Sequence, residues 1–258
     1  MDFTLKIYHK RGKKGTKWSS VVFLALEKLL TLQSPDAVFA FTNEMCNLHR
    51  GQGRDIFWRT SSHIASEEEY LQMVQDKTGG LFRLAIRVMY AVAPPQASLN
   101  LDDDDDNSTH PGMFHGDVED LILLANDLAS FFQIRDDLIN LASPSFHAKK
   151  GFCEDITEGK LSFIALHSLR ALSGTDKFTE LMKILQMKTV DKAIIQRSLV
   201  IMDGTGSFTY CLKYLQQVQK RIEQGISKLG GNSDLSSVLA SLAADLEDCK
   251  DIQNVIHL

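Results

Sequence analysis

With 258 residues, 44% of them hydrophobic, the chain can bury a sizeable core as one domain or at most two. Its formal charge of −5 gives no overall reason to expect nucleic acid as a partner. Four scattered cysteines without a CxxC pair suit free thiols in a reducing compartment, and no apolar run approaches the ~20 residues that span a bilayer. With no targeting signal recognised, a soluble cytoplasmic protein is expected.

The first eighteen residues include HKRGKKGTK, basic and punctuated by glycine, which reads as a mobile solvated segment or as a contact for phosphate or an acidic surface. From there helical periodicity dominates. SSVVFLALEKLLTL (19–32), the stretch 34–58, the stretch 66–93 and DVEDLILLANDLASFFQIRDDLINL (117–141) carry apolar residues at helical intervals. Ser34-Pro35-Asp36 and Ser66 with three glutamates after it are helix-start signals. Residues 94–116 form a Pro/Asp/Ser-rich connection, and 143–160 is a charged loop that also holds Phe146, Phe152 and Cys153, a mixture suited to folding over a site. Further helical patterns lie near 161–172, 176–187, 189–202, 206–228 and 233–254. No alternating run of β-branched residues reads as a strand, so the fold class is all-α.

Four stretches carry residues that could do chemistry. In LHRGQGRDIFWR (48–59), Gly51 and Gly53 thin the helix so that a backbone or a ligand can approach, and Gln52 and Asp55 project from the same place. His49 there reads as a satisfied core histidine more readily than as a base. In DKTGGLF (76–82), two glycines inside an amphipathic helix either free carbonyls beside Lys77 and Thr78 to face a ligand or simply allow close helix packing.

FFQIRDDLIN (131–140) sets Gln133, Asp136, Asp137 and Asn140 on one helix face. Paired carboxylates in an apolar setting repel unless cations or strong donors meet them. Mg²⁺ with a phosphorylated ligand would do so, and so would an ion pair with Arg135 or a nearby lysine. Lys150 and Lys160 bracket GFCEDITEG, either swinging over a diphosphate or neutralised locally by Asp155 and Glu158.

LHRGQG, DKTGGLF, FFQIRDD and FCEDITEGK, in that order, resemble the second half of fungal-type geranylgeranyl diphosphate synthases. These belong to the trans-isoprenyl diphosphate synthases, all-helical proteins built around a central cavity. The likeness covers roughly residues 19–230, so 19–258 is expected to be a partial synthase domain, N-terminally truncated, with 94–116 as an acidic loop insertion. The resemblance implies Mg²⁺-dependent condensation of an allylic diphosphate (dimethylallyl, geranyl or farnesyl) with isopentenyl diphosphate in isoprenoid and terpenoid biosynthesis. It assigns Mg²⁺ to Asp136 and Asp137. Substrate binding falls to Lys77, Thr78, Gln133, Asn140, Lys150 and Lys160, and catalysis to Lys77, Thr78, Asp136 and Lys160.

The family also carries an earlier DDxxD motif, an arginine pair and upstream isopentenyl diphosphate contacts, none of which is recognisable here. Asp102–Asp106 matches DDxxD only trivially, within a polar connection and after the other motifs instead of before them. The alternative expectation is therefore a catalytically impaired or non-catalytic partner of a full-length synthase, as homodimer or heteromer.

Overall fold

A computed structural model describes residues 14–61, 63–93 and 118–257. The readings placed on residues 1–13, on the 94–116 connection and on Asp102–Asp106 lie outside the described residues. Helices fall where the apolar period puts them: α1 (Lys14–Leu30), α2 (Pro35–Ser61), α3 (Glu67–Val74), α4 (Gly80–Val92) and α5 (Val118–Ala142). They continue as α6 (Pro144–Lys149), α7 (Glu154–Thr157), α8 (Phe163–Ala171), α9 (Asp176–Met187), α10 (Lys192–Asp203), α11 (Ser207–Lys228), α12 (Ser233–Ala244) and α13 (Gln253–Ile256). Among the described residues there is no strand, as expected.

Both start signals do their work. The Ser34 hydroxyl accepts from the Ala37 amide, and Ser66 and Glu69 close a reciprocal capping box at the start of α3. Three expectations need amendment. First, α1 begins at Lys14, inside the segment read as mobile, because a helix once started extends one residue at a time. Second, the stretch 66–93 is not one α-helix: residues Gln75–Gly79 form a π-helical turn between α3 and α4. Third, the 143–160 loop holds two short helices of its own, and Cys153 and Asp155 within it are buried.

α5 is the axis of the fold. It packs against α3, the π turn, α4, α6, α7, α8, α11 and the 3₁₀ segment Asp245–Cys249. Phe131, Ile134, Leu138 and Leu141 on it are fully enclosed, at the heart of the larger core. A smaller apolar cluster of Leu29, Ala37 and Phe41 joins α1, α2 and α4. Among the described residues no helix is long and apolar enough to cross a membrane.

α2 and the π turn meet closely because of one glycine. A β-carbon on Gly51 would sit 2.5 Å from the Lys77 amide nitrogen and 2.9 Å from the Met73 carbonyl, atoms that cannot swing aside. Around Gly53 nothing lies within 4 Å. Of the two glycines read as thinning the helix, then, only Gly51 admits a neighbour, and that neighbour is backbone. We expect Gly51→Ala to destabilise the chain by about 1–3 kcal/mol. Gly53→Ala should be neutral or stabilising by up to ~1 kcal/mol, through helix propensity. Paired thermal melts would check this; equal effects at the two positions would contradict it.

Candidate functional site

α5 presents its two aspartates to different surroundings. Asp137 is fully buried, and four protein groups fill its oxygens. Oδ1 accepts from Lys160 Nζ at 2.7 Å and from Gln133 Nε2 at 3.2 Å. Oδ2 accepts from the Tyr70 hydroxyl at 2.6 Å and from the Phe163 amide at 2.9 Å. Burial and then the Asp137 charge push the Tyr70 hydroxyl well above its ordinary value, so it remains a donor. Asp136, half-buried, meets no protein donor among the described residues.

Lys160 ties Asp137 to Asp155, whose Oδ2 lies 3.0 Å from its ammonium. Burial works against the lysine's charge, yet the two carboxylates outweigh it and raise its pKa. Arg135, the other cation considered for the aspartates, turns away to the Leu242 carbonyl and Asp245.

The π turn supplies the facing wall. Lys77 Nζ donates to Asp55 Oδ2 on α2 at 2.6 Å, while Thr78 Oγ1 donates to Gln133 Oε1 on α5 at 3.0 Å. Neighbouring side chains thus reach two different helices, and a chain of bonds runs from Thr78 through Gln133 to Asp137 and Lys160. Arg59 joins Lys77 on Asp55, forking onto that carboxylate at 3.0 and 3.1 Å and reaching Glu158 at 2.9 Å. Burial opposes the Asp55 charge, but the bonds from Arg59 and Lys77 prevail and hold this carboxyl below its usual range.

Thr78, Gln133, Asp137 and Lys160 are therefore assembled into one network, with Asp136 half-buried next to Asp137. Lys77 joins Asp55 and Arg59 in a second set of bonds, linked to the first through the Lys77–Thr78 backbone. Two expected members stand apart. Asn140 is buried, and its Oδ1 accepts from the Asp155 amide at 2.9 Å, so it anchors the loop that carries Lys160. Lys150 is exposed, with its ammonium 4.8 Å from the centre of the Phe146 ring and no carboxylate partner among the described residues. A flexible lysine on the surface takes the nearest aromatic face, since no buried charge pulls it inward. His49 is exposed, not a core residue, and its ring meets the Met45 carbonyl at 2.7 Å.

Sequence reasoning missed Arg59, Tyr70 and the burial of Asp155 as parts of this site. Asp55 carried a signal, one turn after the close-approach glycine; Tyr70 carried none, since it reads as one more apolar position of α3.

Among the described residues no three His, Cys, Asp or Glu side chains are grouped to hold a metal unaided. A lone available carboxylate of hard oxygens still fits Mg²⁺, which keeps waters and takes phosphate oxygens to complete its shell.

An all-helical bundle built around one buried helix is consistent with the fold of the isoprenyl diphosphate synthases. The sequence profile of the family described as polyprenyl synthetase matches residues 18–202, and the chain belongs to that family. It is 39% identical over 222 residues to a geranylgeranyl pyrophosphate synthase of Dictyostelium discoideum, covering 86% of this chain and 65% of that protein. A geranylgeranyl pyrophosphate synthase of Hypoxylon pulicicidum is 40% identical over 209 residues, 81% of this chain and 48% of its own length. One of Aspergillus fumigatus is 41% identical over 214 residues, 82% of this chain and 53% of its own. The chain thus spans between about half and two thirds of these relatives.

Asp155 gives the site a pH dependence. Burial, with the Asp137 charge adding to it, pushes this carboxyl up to about 7, and Lys160 only partly offsets them. An ordinary aspartate titrates near 3.8, so between that pH and about 7 the folded chain holds a proton the unfolded chain has lost. The stability this group contributes is complete below the lower value and is lost as pH rises through the upper one. Asp155→Asn cannot ionise. Its melting temperature should therefore gain on that of the parent as pH rises from about 5 to about 8. A difference constant over that range would refute the assignment.

Proposed function

We propose that the chain is a prenyltransferase of the geranylgeranyl diphosphate synthase type, which binds an allylic diphosphate between the π turn and α5 and joins it to isopentenyl diphosphate. The observation that carries this reading is the uncommitted donor capacity of the network. Of three N–H groups on each ammonium, Lys77 spends one on Asp55 and Lys160 two on Asp137 and Asp155, which leaves two and one for a ligand. Together with the available Asp136 carboxylate, these groups suit a metal–diphosphate.

Mg²⁺ held by Asp136 would offset the charge of the diphosphate. Asp137, with its oxygens already filled, serves as the internal anchor that aims Lys160 and Gln133. The spare N–H groups of Lys77 and Lys160 stabilise negative charge on the diphosphate as its bond to the allylic carbon breaks. Thr78 and Gln133, bonded to each other, position the backbone and side chains that meet the ligand. The double bond of isopentenyl diphosphate then attacks the allylic carbon, and a proton leaves the new chain. By the names of its relatives, the product proposed is geranylgeranyl diphosphate. The compartment proposed is the cytoplasm, in keeping with four unpaired cysteines.

A second reading rests on apolar exposure. Phe23, Phe39, Phe57, Met89 and Tyr90 on α1, α2 and α4 are each more than half exposed, which favours association with another chain, either a second copy or a full-length synthase. In that reading the chain binds diphosphate as a partner subunit without turning it over.

Calorimetry on the purified chain should show binding of farnesyl diphosphate that requires Mg²⁺ and weakens with salt. Asp136→Ala should weaken it more than tenfold, and Lys150→Ala less than about threefold, the size of a single screened surface charge. Equal losses from the two variants would put the metal elsewhere. Incubation with Mg²⁺, farnesyl diphosphate and labelled isopentenyl diphosphate should yield a C20 product. Binding without product at any enzyme concentration would leave the partner reading standing.

A further inference from the structure

One buried ion pair lies outside the bonds described above and touches three of the segments that carry them. Glu44 on α2 and Arg83 on α4 bury their side chains to 5% and 9% exposure. Arg83 Nε and Nη2 fork onto the two Glu44 oxygens at 3.0 and 2.8 Å. Its Nη1 donates both to the Gln75 carbonyl at 3.0 Å and to Asn126 Oδ1 on α5 at 2.7 Å. Gln75 is the first residue of the π turn. A single planar guanidinium therefore holds α2, the π turn and α5, the three segments that carry Asp55, Lys77 with Thr78, and Gln133 with both α5 aspartates.

The double glycine of DKTGGLF makes room for this pair. A β-carbon on Gly79 would lie 2.8 Å from Arg83 Nη1; one on Gly80 would lie 3.3 Å from the Glu44 carbonyl and 3.6 Å from Glu44 Oε2. A π turn is a less favourable conformation than the α-helix on either side and persists where its surroundings demand it. The Gln75 carbonyl is one place where this demand is visible. Removing charged groups from water costs enough that a buried ion pair is weak evidence of added stability, and its better use is to select one conformation.

We propose that Arg83, seated by Glu44 and Gly79, is a positioning residue that fixes the π turn and so aims Lys77 and Thr78 at their partners and at the ligand. Arg83 itself touches no ligand. The aim toward a diphosphate rests on the function proposed above, whereas the hold on the turn does not.

The test uses the full chain, with inorganic diphosphate and Mg²⁺ as the probe. Arg83→Lys keeps the charge but loses the fork and the doubly used Nη1, while Gly79→Ala crowds Nη1 and leaves both charges in place. Both should speed amide hydrogen exchange in a peptide spanning residues 75–80 by about tenfold or more, the loss expected when one charge-assisted bond is removed. Exchange in α11 should stay unchanged, and circular dichroism should report intact helix. Both variants should weaken Mg²⁺–diphosphate binding by about tenfold. In a Lys77→Ala background Arg83→Lys should add little further loss, because its effect passes in large part through that lysine.

Arg197→Lys, in an exposed pair with Glu180, is the control and should move none of these readouts. Should Arg83→Lys fail to fold, Gly79→Ala decides alone. Unchanged exchange at 75–80 would overturn the proposal, and so would fully additive losses from Arg83→Lys and Lys77→Ala. If the parent chain bound no diphosphate, the functional reading would fail; the exchange measurement would still show whether Arg83 fixes the turn.

Discussion

The arrangement of this chain turns on one carboxylate with no access to water. An ionised aspartate buried bare would cost several kcal/mol, and the fold meets that cost by filling the Asp137 oxygens with donors. The donors come from α3, from α5 itself, from the loop after α7 and from the first residue of α8. Each such bond to an ionised group is stronger than a neutral one, and the low dielectric around it magnifies both the gain and the penalty for losing a partner. Asp137 therefore acts as the pin through which these elements share a register. Its neighbour Asp136, one residue earlier and only half-buried, has no such obligations. Two adjacent aspartates thus divide the work, one holding the framework and one left available.

Much of this was legible in the sequence, and what was not has a common physical cause. The apolar period placed the helices because burial of a stripe is a local property of spacing. The glycines at 79 and 80 pointed to a disturbed helix, and the π turn lies there. Of the two readings weighed for those glycines, close packing is realised, against Arg83 at Gly79 and against Glu44 at Gly80. Tyr70 with Asp137, 67 residues apart, and Arg83 with Glu44, 39 apart, were invisible because no spacing rule links residues that meet only through tertiary packing. Lys150 stands apart for the converse reason: its loop position resembles that of Lys160, but of the two only Lys160 has buried carboxylates to draw it in.

The alternation of charge across the site has a consequence for binding. Arg59, Lys77 and Lys160 each rest on carboxylates, so among the described residues the site holds no bare buried cation. A diphosphate would not enter an empty positive pocket; it would take up the donors those lysines have not yet used. That arrangement lowers the affinity a bare cluster of lysines would have and prevents their mutual repulsion from opening the bundle. It also makes the geometry of the carboxylates as important as that of the lysines, since Asp55 and Asp137 decide where the spare N–H groups point.

Rigidity follows from the same economy of contacts. Two buried charges, Asp137 and Arg83, each bind several elements at once, and both include α5 among them. A displacement of α5 would strain both sets of bonds together, whereas sliding of purely apolar surfaces would meet only graded resistance. The aspartate and the guanidinium supply directional constraints; the Phe131–Leu141 core supplies the bulk of the driving force. Between them lies the π turn, which packs on α2 and α5 and is also held by polar bonds at Gln75, Asp76, Lys77 and Thr78. The segment that faces the proposed ligand is thus fixed by direction-sensitive contacts added to its close packing on α2.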